Sequence, residues 1–234
     1  MILAKQSWSR QDGNQFNQYL AGLANPEKIE WTKSIINTKL PVLAIKSPVI
    51  KSIAKEIKGG NYLSFLELGL DTYYENFAVN SALISAVKDF DVMAEYLRRY
   101  SKKIECWAAC DSLSFNVKGR EAQFWQLSQD YLQSPLPFER RVALLILMKL
   151  VNNDSYIDKI FDTMNLLHDE SEYYVNMMNA WLLCECFIKQ RDKTLSYLKT
   201  HKLNKFTINK GISKCRDSFR VSKEDKELLL KYKV

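Results

Sequence analysis

The sequence predicts an all-α protein, and three observations lead to that prediction. Only 7 Gly and 5 Pro occur among 234 residues, fewer turn-forming residues than a sandwich or barrel of many short strands needs. Apolar residues recur at helical spacing, as at Ile50, Ile53, Ala54 and Ile57. The connectors between such segments are short, and hydrophobic residues make up 47% of the chain, which is enough to build a packed helical core.

Helix start signals divide the first half of the chain. Asn25-Pro26 predicts a start with Asn25 as the cap, and Ser47-Pro48 predicts a second start, whose helix Gly59-Gly60 ends. Two further helices are predicted over 75–87 and 92–100.

The second half continues as helix pairs, with Ser222 as the expected cap of the last helix. The predicted pairs are 104–115 with 122–132, 138–151 with 156–167, 173–188 with 193–200, and 206–215 with 222–231. A recurrence of about forty residues is typical of HEAT-like antiparallel helix pairs. We therefore expect a single domain over 1–234, a curved superhelix of such pairs with a basic concave face; a plain helical bundle is the alternative.

The charge of the chain favours a polyanionic partner. Lys and Arg number 34 against 27 Asp and Glu, giving a formal net charge of +7 and a pI near 9.0. Between residues 199 and 220 the only acid is Asp217. The cations in this stretch are Lys199, Lys202, Lys205, Lys210, Lys214, Arg216 and Arg220. They form either a solvated helical face or a surface that faces phosphates.

Several classes of protein are disfavoured by what the sequence lacks. It contains no Gly-rich phosphate loop and no Ser-centred nucleophile elbow, and His168 and His201 are its only histidines. No apolar run reaches the roughly 18 residues that span a bilayer, and the N-terminus has no apolar signal core. Five cysteines, an odd number, are read as buried free thiols of a cytoplasmic protein, not as metal ligands. We expect no metal and no cofactor.

Two tryptophans and one acid are the strongest candidates for a site. Trp107 and Asp111 are four residues apart, so on a helix they share a face, and the residues between them are small and apolar. Trp181 lies in the middle of the long helix predicted from residue 173. Core packing is the alternative for each tryptophan, and a buried ion pair is the alternative for Asp111.

These residues resemble the AlkD family of bacterial alkylpurine DNA glycosylases, also called DNA alkylation repair proteins. The similarity runs in order from about residue 12 to 231. The segments that carry it are 25–28, 40–45, 47–48, Trp107 with Asp111, 138–143, 173–181 and 210–214.

The resemblance implies a concave site lined by a Trp, an Asp four residues later, an Arg and a second Trp. It places these catalytic roles on Trp107, Asp111, Arg141 and Trp181, with Arg141 holding a phosphate. Further DNA contacts are expected at Arg140, Lys205, Lys210 and Lys214. Two departures from the family pattern are Ala108, where a second acid is common, and Ile35, where an aromatic residue is expected.

The implied activity is hydrolysis of the glycosidic bond of cationic N3- and N7-alkylated purines in duplex DNA, without strand cleavage and without a base-flipping pocket. The expected partner is double-stranded DNA bound by a cytoplasmic monomer, which in a bacterium associates with the nucleoid. Two alternatives remain open. One is a non-catalytic binder of branched or damaged DNA, and the other is a HEAT-type scaffold for protein interactions.

Overall fold

The computed structural model of the protein describes residues 1–234, and it is all-α, as predicted: fourteen α-helices and two short 3-10 helices occur, with no strand. The chain divides into two compact units, Met1–Asn116 and Val117–Val234. In a protein built from stacked helix pairs, each pair contacts only its neighbours, so a division into two compact units is compatible with one continuous domain. The expectation of a single domain therefore stays a prediction.

Unit 1 contains seven α-helices around the buried helix α5. They are α1 (Arg10–Ala21), α2 (Ile29–Ile36), α3 (Ser47–Lys58), α4 (Tyr62–Leu66), α5 (Tyr74–Ile84), α6 (Phe90–Ser101) and α7 (Trp107–Asp111), and a 3-10 turn at Pro26–Lys28 leads into α2. Helix α5 packs against α3, α4, α6 and α7. Its position in the middle of the unit agrees with its composition, because apolar residues occur on all its sides.

Unit 2 contains the remaining seven α-helices. They are α8 (Glu121–Leu132), α9 (Pro137–Leu150), α10 (Asp154–Leu166), α11 (Tyr173–Lys189), α12 (Arg191–Tyr197), α13 (Lys205–Asp217) and α14 (Lys223–Leu229), followed by a 3-10 turn at Leu230–Tyr232. Helix α11 is central: it packs against α9 on one side and α13 on the other. Helices α8 and α9, joined by a short connector, pack on each other, whereas the predicted pairs were 122–132 with 104–115 and 138–151 with 156–167.

Most helix predictions are confirmed, including their buried faces. Ile50, Ile53, Ala54 and Ile57 are all buried on α3, and the Ser222 side chain caps α14 by accepting from the Asp225 amide. No helix of the protein combines the length and apolar character that crossing a membrane requires.

Two local predictions are wrong. The helix expected over 104–115 is reduced to the single turn 107–111. Side-chain hydrogen bonds replace the helical ones there: the Ser112 hydroxyl donates to the Ala109 carbonyl, and the Ser85 hydroxyl accepts from the Ser114 amide. Asn25 precedes a helical turn as expected, but its side chain makes no capping bond.

Candidate functional site

In unit 1, Trp107 and Asp111 occupy the first and last positions of α7. Both side chains are half-buried, whereas the three residues between them are buried. Because the segment is one helical turn, the indole and the carboxylate lie on the same face and both reach solvent. The sequence therefore places an aromatic surface beside an acid at the edge of the unit.

Side-chain hydrogen bonds hold this short helix in place. The Tyr100 hydroxyl, which is buried, donates to the carbonyl of Ala109 at 2.8 Å. The Trp107 indole donates from Nε1 to the carbonyl of Ile35 at 3.2 Å, which joins α7 to the end of α2. A one-turn helix has little stability alone, so these contacts and the packing on α5 keep Trp107 and Asp111 in position.

Carboxylates organise the extended segment that runs beside α7. Glu105, just before α7, accepts from the Thr38 hydroxyl at 2.6 Å and from the amides of Lys39 and Leu40 at 2.8 and 2.9 Å. Glu75 is 1% exposed; burial raises its pKa, and backbone amides, including that of Leu43 at 3.1 Å, act in the opposite direction. The two acids thus bind the loop to α5 and α7.

Tyr74 is a neighbour of Asp111 that the sequence reasoning missed. Burial raises the pKa of Tyr74 to about 12, and the nearby Cys106, Glu75 and Asp111 add to the effect. The phenol therefore keeps its proton at neutral pH and can donate a hydrogen bond. Nothing in the local sequence singles out Tyr74, because its proximity to Asp111 depends on how α5 packs against α7.

Trp31 is a second residue that was missed. Its side chain is 63% exposed, and the Lys28 ammonium lies 5.7 Å from its ring centre. Ile35, where the family pattern leads us to expect an aromatic, is 46% exposed one helical turn later. Trp31, Ile35 and Trp107 thus belong to one exposed part of unit 1, and the helical i, i+4 spacing of Trp31 and Ile35 is the signal that could have identified it.

In unit 2, Trp181 and Lys214 lie together. Trp181 is half-buried in the middle of α11, and the Lys214 ammonium on α13 lies 5.8 Å from its ring centre. Lys210 is on the same side of α13, one turn before Lys214. Lys205 begins this helix and is exposed, as is Lys210, and both line a shallow groove with Phe206.

The two arginines of α9 are engaged inside unit 2. Arg141 is 5% exposed and donates from Nη1 to the Tyr174 carbonyl at 2.6 Å. Arg140 donates from Nε and Nη2 to the two carboxylate oxygens of Glu170, at 2.7 and 3.1 Å. Burial acts to raise the pKa of Glu170, but the Arg140 guanidinium and nearby backbone amides outweigh it and lower that pKa. Both arginines thus fasten α9 to the start of α11, and their contact with phosphate stays a prediction.

A row of aromatic side chains follows the starts of α9, α11 and α13. Phe138 lies 5.5 Å from Tyr174, Tyr174 lies 5.2 Å from Tyr173, and Tyr173 lies 5.6 Å from Phe206, measured between ring centres. Tyr173 is 54% exposed. The sequence reasoning noted these residues separately but did not bring them together, since they belong to three different helices.

The cysteines and acids show no arrangement typical of a metal centre. No three or more His, Cys, Asp and Glu side chains are grouped so that they could hold an ion. All five cysteines are buried free thiols, as predicted. A cavity of about 340 Å³ in unit 1 lies beneath residues 66–71 and is lined by Phe77, Tyr96 and Tyr100, not by Trp107 or Asp111.

One comparison with known proteins bears on these two surfaces. A family model described as "DNA alkylation repair enzyme" matches residues 16–215. That range includes α7 with Trp107 and Asp111, and also α9, α11 and most of α13, which carry the candidate residues of unit 2. No curated protein matches the chain.

Proposed function

The chain belongs to the DNA alkylation repair enzyme family, and from this premise we propose that it is a monofunctional glycosylase that excises N3- and N7-alkylated purines from duplex DNA. Membership of the family indicates an enzyme that repairs alkylated DNA. The observation that carries the narrower proposal is the pair on α7, where an accessible carboxylate and an accessible indole share one face.

The chemistry of the lesion explains why one carboxylate and an indole would be enough for catalysis. A purine alkylated at N3 or N7 is cationic, so its glycosidic nitrogen takes the bonding electron pair readily and the base leaves neutral. The positive charge moves to the sugar, which becomes oxocarbenium-like as the C1′–N bond breaks. A carboxylate beside this centre stabilises it more strongly than it stabilises the ground state. In the proposal this carboxylate is Asp111.

Water completes the reaction. Asp111 orients a water molecule toward C1′, the water oxygen forms the new bond, and the proton passes to the carboxylate or to solvent. The indole of Trp107 packs on the deoxyribose, where its π face favours a cationic centre by roughly 0.5–2 kcal/mol. No lysine takes part in a covalent intermediate, so the strand stays intact and the product is an abasic site.

Contacts with the DNA backbone come from unit 2 in this proposal. Lys205, Lys210 and Lys214 contact phosphates, and Trp181, beside Lys214, packs on the lesion-bearing strand. Arg140 and Arg141 make hydrogen bonds that hold the start of α11, and we propose that they also contact phosphates of the bound duplex.

The experiment compares the protein with its Asp111→Asn variant on duplex DNA that carries one 7-methylguanine, and it measures free base release under single-turnover conditions. We expect release by the parent protein and a loss of at least about 100-fold in the variant, the size typical of removing one electrostatic group from a transition state. Asp91→Asn, an exposed acid of the same unit, is the matched control and should behave like the parent.

Duplex affinity, measured beside base release, separates this proposal from its alternatives. Binding without release by the parent would replace the glycosylase with a non-catalytic binder of damaged or branched DNA. Absence of both activities would favour a scaffold for protein interactions. Full activity of Asp111→Asn would refute the role of this carboxylate.

A further inference from the structure

Helices α11 and α13 of unit 2 pack on each other in the same direction. Near the start of both helices, the Thr207 hydroxyl donates to Oδ1 of Asn176 at 2.9 Å. One turn further along each helix, Gly211 lies against Ala180, whose carbonyl oxygen would be 3.2 Å from a Cβ atom at residue 211. The offset in sequence is the same in both pairs, so the next turn of α11 faces the next turn of α13.

Cys184 and Cys215 are the next pair in this series. Each follows the earlier member of its own helix by four residues, a spacing that returns a side chain to the same face. Both are buried, and the Cys215 thiol donates a hydrogen bond to the sulfur of Cys184. A disulfide needs Cα atoms about 4.4–6.8 Å apart, so it can join only helices that approach closely. Because Gly211 has no side chain, α11 and α13 make such an approach one turn earlier.

The two thiols differ in acidity. The hydrogen bond from Cys215 is the main influence that lowers the pKa of Cys184. Burial and the Glu185 carboxylate act to raise that pKa, whereas the Arg220 and Lys214 cations act to lower it. The same hydrogen bond, together with burial, raises the pKa of Cys215. Because the thiolate is the nucleophile in sulfur chemistry, Cys184 is the sulfur that reacts first, and Cys215 is placed to react with it second.

We propose that Cys184 and Cys215 are a redox-active pair that hydrogen peroxide oxidises to a disulfide, which cross-links α11 to α13 and stabilises unit 2. The Cys184 thiolate attacks one peroxide oxygen, the O–O bond breaks and hydroxide leaves, so that a sulfenic acid forms. The Cys215 sulfur then attacks that sulfur, loses its proton and releases water. In total, two thiols lose two electrons and two protons, and one hydrogen peroxide becomes two water molecules.

The other cysteines are placed less favourably for this reaction. Cys186 is also on α11, but residues two apart on a helix do not share a face. It is 0% exposed, and burial raises its pKa. Cys106 and Cys110 belong to unit 1. Hydrogen peroxide is close to water in size, so a small local opening of the contact between α11 and α13 is enough for it to reach Cys184.

The test treats the folded, fully reduced protein with hydrogen peroxide and then maps its disulfides by mass spectrometry. The parent protein should lose two thiols and gain one link, between Cys184 and Cys215, and dithiothreitol should reverse both changes. Oxidation should raise Tm by about 5–10 °C, because a disulfide restricts the unfolded chain. Cys215→Ala should form no link and show no rise in Tm. Cys186→Ala, which removes another buried thiol of α11, is the matched control and should behave like the parent.

Several outcomes would overturn this inference. A link that involves Cys106, Cys110 or Cys186 would show that a different pair reacts. A link that forms only in urea would show that the folded protein does not bring the two sulfur atoms together for reaction. An oxidised protein that melts no higher than the reduced one would remove the stabilising role. The mapping is done on the parent protein, so the result does not depend on the folding of any variant. Base release is not measured, so this inference and the proposed glycosylase stand or fall separately.

Discussion

Gly211 lies at a close approach of α13 to α11, and we expect Gly211→Ala to destabilise unit 2. A Cβ atom at this position would lie 2.6 Å from Cδ2 of Leu183, and 3.2 Å from both the Leu183 Cβ and the Ala180 carbonyl oxygen. The neighbouring residue of Ala180 is Trp181, and Gly211 lies between Lys210 and Lys214 on α13. The substitution therefore tests the contact that brings the candidate DNA-binding lysines to the tryptophan.

Two opposing effects determine how much Gly211→Ala changes the free energy of unfolding. Alanine favours a helix over glycine by about 1 kcal/mol, which stabilises the variant. Overpacking a filled interface costs about 1–3 kcal/mol, and Leu183 has no room to move because it is 2% exposed. The net expectation is a loss of about 1 kcal/mol in the free energy of unfolding, or about 2–4 °C in Tm for a chain of this length.

Thermal unfolding followed by circular dichroism measures this difference, and a second substitution tests its cause. Leu183→Ala alone should cost about 2–5 kcal/mol, because it leaves a cavity. In that background the 2.6 Å contact with Cδ2 is removed, while the 3.2 Å contacts with the Cβ of residue 183 and the Ala180 carbonyl remain. Gly211→Ala should therefore cost clearly less free energy of unfolding there than in the parent protein. Gly22→Ala, at an exposed right-handed helix end, is the control and should change Tm little. A loss of similar size with and without Leu183 would refute the steric reasoning.

Two further predictions concern charge. The folded protein lowers the pKa of Glu170 below its ordinary value of 4.5, so the pair with Arg140 contributes stability above pH 4.5 that is lost as the pH falls through the folded pKa. In urea unfolding between pH 7 and pH 3, the free energy of unfolding of Glu170→Gln should therefore fall less than that of the parent protein. An equal fall in both proteins would contradict this prediction. Lys214→Gln should weaken binding to all duplex sequences alike and lower the magnitude of the slope of log K against log salt by about 0.9, since one phosphate contact is lost. It should also alter the fluorescence of Trp181, because the Lys214 ammonium lies beside that ring. Lys149→Gln, on an exposed part of α9, is the control and should leave the slope unchanged.

Much of the secondary structure was predictable because its signals are local. Periodic apolar residues at Ile50, Ile53, Ala54 and Ile57 and the cap at Ser222 need only their near neighbours in the chain to act, and both are as expected. Trp107 and Asp111 share a face because a helical turn contains 3.6 residues, wherever that turn lies. The helix over 104–115 failed as a prediction because the Ser112 and Ser85 side chains make hydrogen bonds in place of the helical ones.

The remaining features depended on contacts between distant parts of the chain. The two arginines of α9 are adjacent in sequence to a helix start, yet only packing against α11 directs them to Glu170 and to the Tyr174 carbonyl. The Lys214–Trp181 contact likewise requires the close approach that Gly211 allows.

From the residues alone it was possible to deduce an all-α chain, most of its helices, its basic segment and the resemblance that pointed to DNA repair. Only the packed structure decided which polar side chains are already satisfied and which, like Trp31 and Phe219, are left exposed. The physical reason is that helix formation follows from hydrogen bonds over three or four residues, whereas burial depends on which faces of separate helices meet.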